Sequence, residues 1–266
     1  LRTSSNPAFK NLPKGGGYAN FNYGQPAGAF GTQGQAPTAP QQTGRPLSID
    51  DIVTKTAITL AITIGTAAAT YIIGGAASWG LVFPAAIVGF VLAMVNIFKK
   101  KVSPALVIAY AAVEGVFLGG VSHLFATMVN PGIIMQAIVG TMGVFAAMLV
   151  VYKTGAIRVT PKLTKWVIGA AAGAFTLMLV NLIAGFFVEG GIGIRSSDGG
   201  LLAIGFSLLC IGIAAFVFLL DFDEADRAIK SGVDARFSWY IAFSLMVTLV
   251  WLYLEILRLL SYLQND

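Results

Sequence analysis

Seven apolar stretches, at about 56–77, 80–98, 104–128, 132–152, 165–188, 200–220 and 238–262, leave this chain few ways to fold. Each approaches the roughly 20 residues that cross about 30 Å of hydrocarbon as a helix. In lipid every backbone N–H and C=O must find its partner inside the protein, and runs of this length do so as α-helices. The breaks carry turn chemistry: Gly74-Gly75, Lys99-Lys100-Lys101, Asn130-Pro131-Gly132, Thr160-Pro161, and the glycine pairs at 190–191 and 199–200. Charged residues make up only 11% of the chain, against about 25% in soluble domains, and mean hydropathy is +0.79. The expected fold is all-α, a polytopic integral membrane protein with seven transmembrane helices.

Two segments are expected. Residues 1–47 are rich in Gly, Gln, Pro, Ala and Asn, and their aromatics (Phe9, Tyr18, Phe21, Tyr23, Phe30) follow no period. Such a stretch cannot bury enough apolar area to offset its ordering entropy and reads as a disordered low-complexity tail. It has no apolar core of the signal-peptide kind. Residues 48–266 form the membrane domain, opening on Ser48 and Asp51, whose spacing is that of a capping box.

The loop charges predict orientation. Lys99, Lys100, Lys101, Lys153, Arg158, Lys162, Lys165, Arg227, Lys230 and Arg236 fall on the side of the N-terminal tail, whereas the other side has only Arg195. By the positive-inside rule the N-terminus is expected in the cytoplasm and the C-terminus outside. Because the formal +5 charge resides mostly in these loops, it does not indicate nucleic-acid binding. The lipid bilayer is the expected surrounding.

Residue counts exclude several activities. Cys210 is the only cysteine and His123 the only histidine, so neither an intramolecular disulfide nor a zinc site of histidines and cysteines can form. A hydrolase needs a nucleophile with a base or a metal cluster, for which a single histidine near the outer face is a poor basis, and a retinal protein lacks a lysine in the seventh span. No enzyme activity and no cofactor are expected. Two GxxxG pairs, Gly115 with Gly119 and Gly169 with Gly173, read as close-packing helix faces. Asn96, Asn181, Ser207 and Thr248 read as interhelical hydrogen-bonding groups.

The chemistry lies in ionisable groups within the spans, each costing roughly 2.5–3.5 kcal/mol on insertion scales. Glu114 sits near the middle of the third span. Asp221 and Asp223 close the sixth, at the start of a charged loop, and Glu255 and Arg258 lie well inside the seventh. Glu255 and Arg258, three residues apart on one helix face, could simply neutralise each other. That pairing would leave the acids at 221–226 unexplained.

Leu220-Asp221-Phe222 and Leu252-Tyr253-Leu254-Glu255-Ile256 resemble the Bax inhibitor family, as does Glu114-Gly115-Val-Phe-Leu-Gly119. The low-complexity tail and the run VTLVWLYLEILRLL resemble its bacterial branch, which implies the inner membrane. The resemblance implies a pH-sensitive calcium leak gated by two proton-sharing carboxylates, here Asp221 and Glu255, with Asp223, Glu114 and Arg258 as secondary candidates. Calcium is then the transported ion, and it could sit at Asp221 and Glu255. Two carboxylates in one site cannot both ionise cheaply, so one keeps a proton, and losing it creates repulsion and hard oxygen ligands that suit calcium. Depth sets a condition: Glu255 lies 16 residues beyond Trp239, about 24 Å of helix, whereas Asp221 belongs near the basic side. Pairing requires the seventh helix to protrude or shift; otherwise Glu255 answers to Glu114 or Arg258. The alternative function is a non-conducting regulator that binds other membrane proteins, such as a protease or a cell-death or stress factor.

Overall fold

The computed structural model describes residues 44–75, 78–99, 102–188, 191–195 and 200–264. Seven long helices are present: α1 (Ile49–Gly74), α2 (Ser78–Phe98), α3 (Pro104–Met128), α4 (Gly132–Thr154), α5 (Pro161–Ala184), α6 (Leu201–Lys230) and α7 (Ser238–Gln264). All seven are long and apolar enough to cross a membrane. The chain is an all-α integral membrane protein.

Helix ends follow the local chemistry. The Ser48 hydroxyl accepts from the Asp51 N–H while the Asp51 carboxylate accepts from the Ser48 N–H at 3.1 Å, completing the capping box. Proline opens α3 and α5, where its missing N–H costs nothing, and left-handed Gly155 (φ 68°) closes α4. At the first break α1 ends at Gly74 and Gly75 follows with a positive φ of 45°, open to glycine.

Two expected boundaries move. The sixth helix does not stop at residue 220 but runs to Lys230, so the acid-rich segment is helix and not loop. Its charges stabilise that extension as i,i+4 pairs, Asp223 with Arg227 at 2.6 Å and Asp226 with Lys230 at 2.5 Å. The folded unit also begins before Ser48. Leu47 is buried and its N–H donates to the Val233 carbonyl at 2.8 Å, while the Arg45 carbonyl accepts from the Ala235 N–H at 3.0 Å. This short strap thus clips the start of α1 onto the α6–α7 turn. The remainder of the expected tail, residues 1–43, lies outside the described residues.

The bundle is built around α7 and α3, which bury 72% and 56% of their apolar windows against 11–33% for the others. α3 packs on α1 and α2, and α7 on α6, α1, α4 and α3; α5 packs chiefly on α6. Phe145 of α4 meets Phe218 of α6 edge-to-face at 5.3 Å beside Leu249 and Leu252 of α7. On the other side of α7, Phe243 and Met246 join Val107 and Tyr110 of α3.

The two glycine pairs part company. A Cβ on Gly115 would lie 2.3 Å from the Thr63 carbonyl oxygen, and one on Gly119 2.4 Å from that of Ala67. α1 and α3 approach so closely only because those side chains are absent. The contact is sealed by Thr63 Oγ1, which donates to the Ala111 carbonyl at 3.1 Å. Gly169 and Gly173 meet nothing within 4 Å, so the expectation of a packing face fails there. α5 turns that surface outward.

Candidate functional site

The intramembrane acids reach the interior from three helices. Asp221 projects from α6 across its contact with α7 and is 8% exposed. Ser244 Oγ donates to one of its carboxylate oxygens at 2.6 Å and Thr248 Oγ1 to the other at 2.7 Å. The two donors stand one turn apart on α7, so their spacing matches the two oxygens of a single carboxylate. Among the described residues, Asp221 takes part in no ion pair.

Glu255 is 2% exposed and pairs with the Arg195 guanidinium, which enters from the segment between α5 and α6. Arg195 is itself mostly buried and lies over the Phe206 ring at 5.9 Å. Ser207 and Trp251 flank the carboxylate, and its second oxygen has no hydrogen-bond partner among the described residues. Arg258, one turn further along α7, is not the partner of Glu255, and its Nη1 makes no hydrogen bond among the described residues. The i,i+3 neutralisation offered by the sequence is therefore replaced by a long-range pair.

Glu114 is buried on α3 and faces α2, where a Cβ on Gly89 would lie 3.0 Å from its Oε2. Tyr110 stands beside it, one turn earlier. The absence of a side chain at Gly89 leaves the room the carboxylate occupies.

A sequence profile described as Bax inhibitor 1 like matches residues 7–265, nearly the whole chain. The chain belongs to the Bax inhibitor 1-like family. No curated protein shows a significant match to it.

In this family member the two acids singled out by the resemblance are not brought together. Asp221 bonds to residues 244 and 248 of α7, whereas Glu255 lies seven residues beyond Thr248, about 10 Å further along the helix axis. The cause is the short connection at 231–237, which fixes antiparallel α6 and α7 so that Asp221 lies level with the first half of α7. Asp223 is partly exposed and engaged with Arg227, so it does not compete for the interior position of Asp221. Glu114 is joined to neither acid.

Sequence reasoning missed Arg195 as the partner of Glu255. The one signal available was its isolation as the only basic loop residue on its side of the bundle. Thr248 is the interhelical hydrogen-bonding group its sequence suggested, but nothing in the sequence joined it to Asp221 or singled out Ser244, the second hydroxyl that holds that carboxylate. Of the other polar span residues, Asn96 bridges to the Leu106 carbonyl at 3.3 Å and Asn181 holds the Ile192 N–H at 3.0 Å. His123 packs edge-on against Tyr71 at 5.6 Å, as a structural aromatic would.

Proposed function

We propose that this chain is a cation leak, conducting calcium, whose opening responds to pH through separate carboxylates on α6 and α7. The observation that carries this reading is Asp221, a carboxylate buried at the α6–α7 contact and held by two hydroxyls of the facing helix. Gain or loss of one proton there changes an electrostatic cost of several kcal/mol. That is enough to redistribute two helix packings separated by a few kcal/mol. Glu255 has a different part, because Arg195 neutralises it. The resemblance supplies the channel class and calcium. The geometry favours two stations in series along α7 over one shared proton, with Asp221 nearer the Lys- and Arg-rich side. Charge asymmetry supports a cytoplasmic N-terminus and an external C-terminus, and the likeness to the bacterial branch supports an inner-membrane location. No catalytic step or cofactor enters this reading.

Purified protein in liposomes enclosing a calcium-sensitive dye tests it. Flux should vary with pH in the wild type, and Asp221→Asn should flatten that dependence while Asp223→Asn leaves it. Glu255→Gln should alter flux independently, with the two effects adding within about 0.5 kcal/mol, as expected for sites without a shared partner. A wild-type pH profile in Asp221→Asn would refute the gate. Background flux from the wild type at every pH would favour the alternative, a non-conducting regulator that binds other membrane proteins.

A further inference from the structure

At the end of the bundle away from the lysine-rich loops, a cleft of about 810 Å³ opens between α5, α3 and α7. It exists because α5 leans on α6 and leaves its flank toward α3 and α7 unfilled. Its lining divides into two chemistries. Arg195 and Arg258 stand in it, and α5 contributes Phe175, Met178, Leu179 and Leu182. About half the surface of Phe175, Leu179 and Leu182 remains exposed, so the apolar part opens sideways toward lipid and not only to water.

We propose that this cleft binds an anionic phospholipid, its phosphodiester on Arg258 and one acyl chain along α5. The charge balance selects the headgroup. Glu255 already neutralises Arg195, whereas Arg258 enters none of the ion pairs among the described residues and its Nη1 lacks an acceptor. A guanidinium uncompensated in a lipid-facing cleft is costly. Two phosphate oxygens match its planar fork with two parallel hydrogen bonds. The apolar half selects a lipid over a free anion. From Phe175 to Leu182 α5 offers about 10 Å of apolar wall, for which inorganic phosphate has no counterpart. This site is independent of ion conduction and stands whether or not the protein leaks calcium.

The test is thermal unfolding of the full chain in detergent, titrated with dioleoyl-phosphatidylglycerol, dioleoyl-phosphatidylcholine or inorganic phosphate. Phosphatidylglycerol should raise the midpoint saturably, and the other two should not. Arg258→Gln, which removes a charge that enters no ion pair among the described residues, is expected to fold and to weaken phosphatidylglycerol binding about tenfold or more through loss of a charge-assisted hydrogen bond. Met178→Trp, which fills the apolar half, should weaken it while leaving both arginines in place. Equal stabilisation by the zwitterionic and anionic lipids would overturn the proposal, as would an undiminished response in Arg258→Gln. A shift reproduced by inorganic phosphate would mean a free-anion site and would equally overturn it. If Met178→Trp binds like the wild type, the acyl chain does not lie in the cleft and the assignment falls.

Discussion

Replacing Arg195 by glutamine probes the contact that the fold adds to this chain. Glu255 is 2% exposed and the Arg195 side chain 19%, so water screens the pair little. Removing one member of such a buried pair leaves its partner's charge uncompensated and costs about 3–5 kcal/mol. The Asp226–Lys230 pair of the same protein is the internal standard, with side chains 41% and 72% exposed. A solvated i,i+4 pair of that kind is worth about 0.3–0.5 kcal/mol, so Lys230→Gln should scarcely register. The assay is unfolding in mixed micelles titrated with sodium dodecyl sulfate, followed by tryptophan fluorescence, with Trp251 beside Glu255 as a local reporter. Arg195→Gln should lower stability several times more than Lys230→Gln. The double variant Arg195→Gln/Glu255→Gln should recover much of the loss, giving a coupling of about 2–3 kcal/mol. The reasoning is refuted if Arg195→Gln costs no more than Lys230→Gln, or if the double variant loses the sum of the single ones.

Three further outcomes are expected. Gly115→Leu should prevent close approach of α1 and α3 and cost at least the roughly 1–3 kcal/mol of overpacking, whereas Gly173→Leu, with open space around its Cα, should leave the unfolding midpoint unchanged. Deleting residues 1–43 should leave that midpoint in place. Deleting 1–47 should lower it, because Leu47 and its backbone bonds to the α6–α7 turn are lost. In a Cys210→Ser background, cysteine at Arg158 should be shielded from an impermeant thiol reagent in intact cells and cysteine at Ile192 should react; the reverse pattern would invert the proposed orientation.

The helices were legible in the sequence because their cause is local. A run of some twenty apolar residues must satisfy its own backbone in lipid, and Ser48-x-x-Asp51 and Thr160-Pro161 mark helix starts through chemistry acting within a turn. The buried carboxylates were legible too, since Glu114, Asp221 and Glu255 are conspicuous against their apolar neighbours. Their partners were not. The helical continuation to Lys230 was obscured because hydropathy falls at Asp221 while helix propensity and i,i+4 charge pairing do not.

Sequence alone determined that seven helices form, that the family motifs lie on the third, sixth and seventh, and that three acids lie within or at the end of apolar spans. Tertiary structure alone decided which groups those acids meet. The register of α6 against α7, set by a turn of a few residues, puts Asp221 opposite Ser244 and Thr248 and leaves Glu255 about two turns away. Arg195 reaches Glu255 across 60 residues of chain, a contact that no periodicity encodes. The two GxxxG pairs make the same point: identical spacing on α3 and α5, yet only the pair facing α1 excludes a side chain. Spacing along one helix fixes which residues share a face, but which neighbour fills that face depends on the packing of the whole bundle.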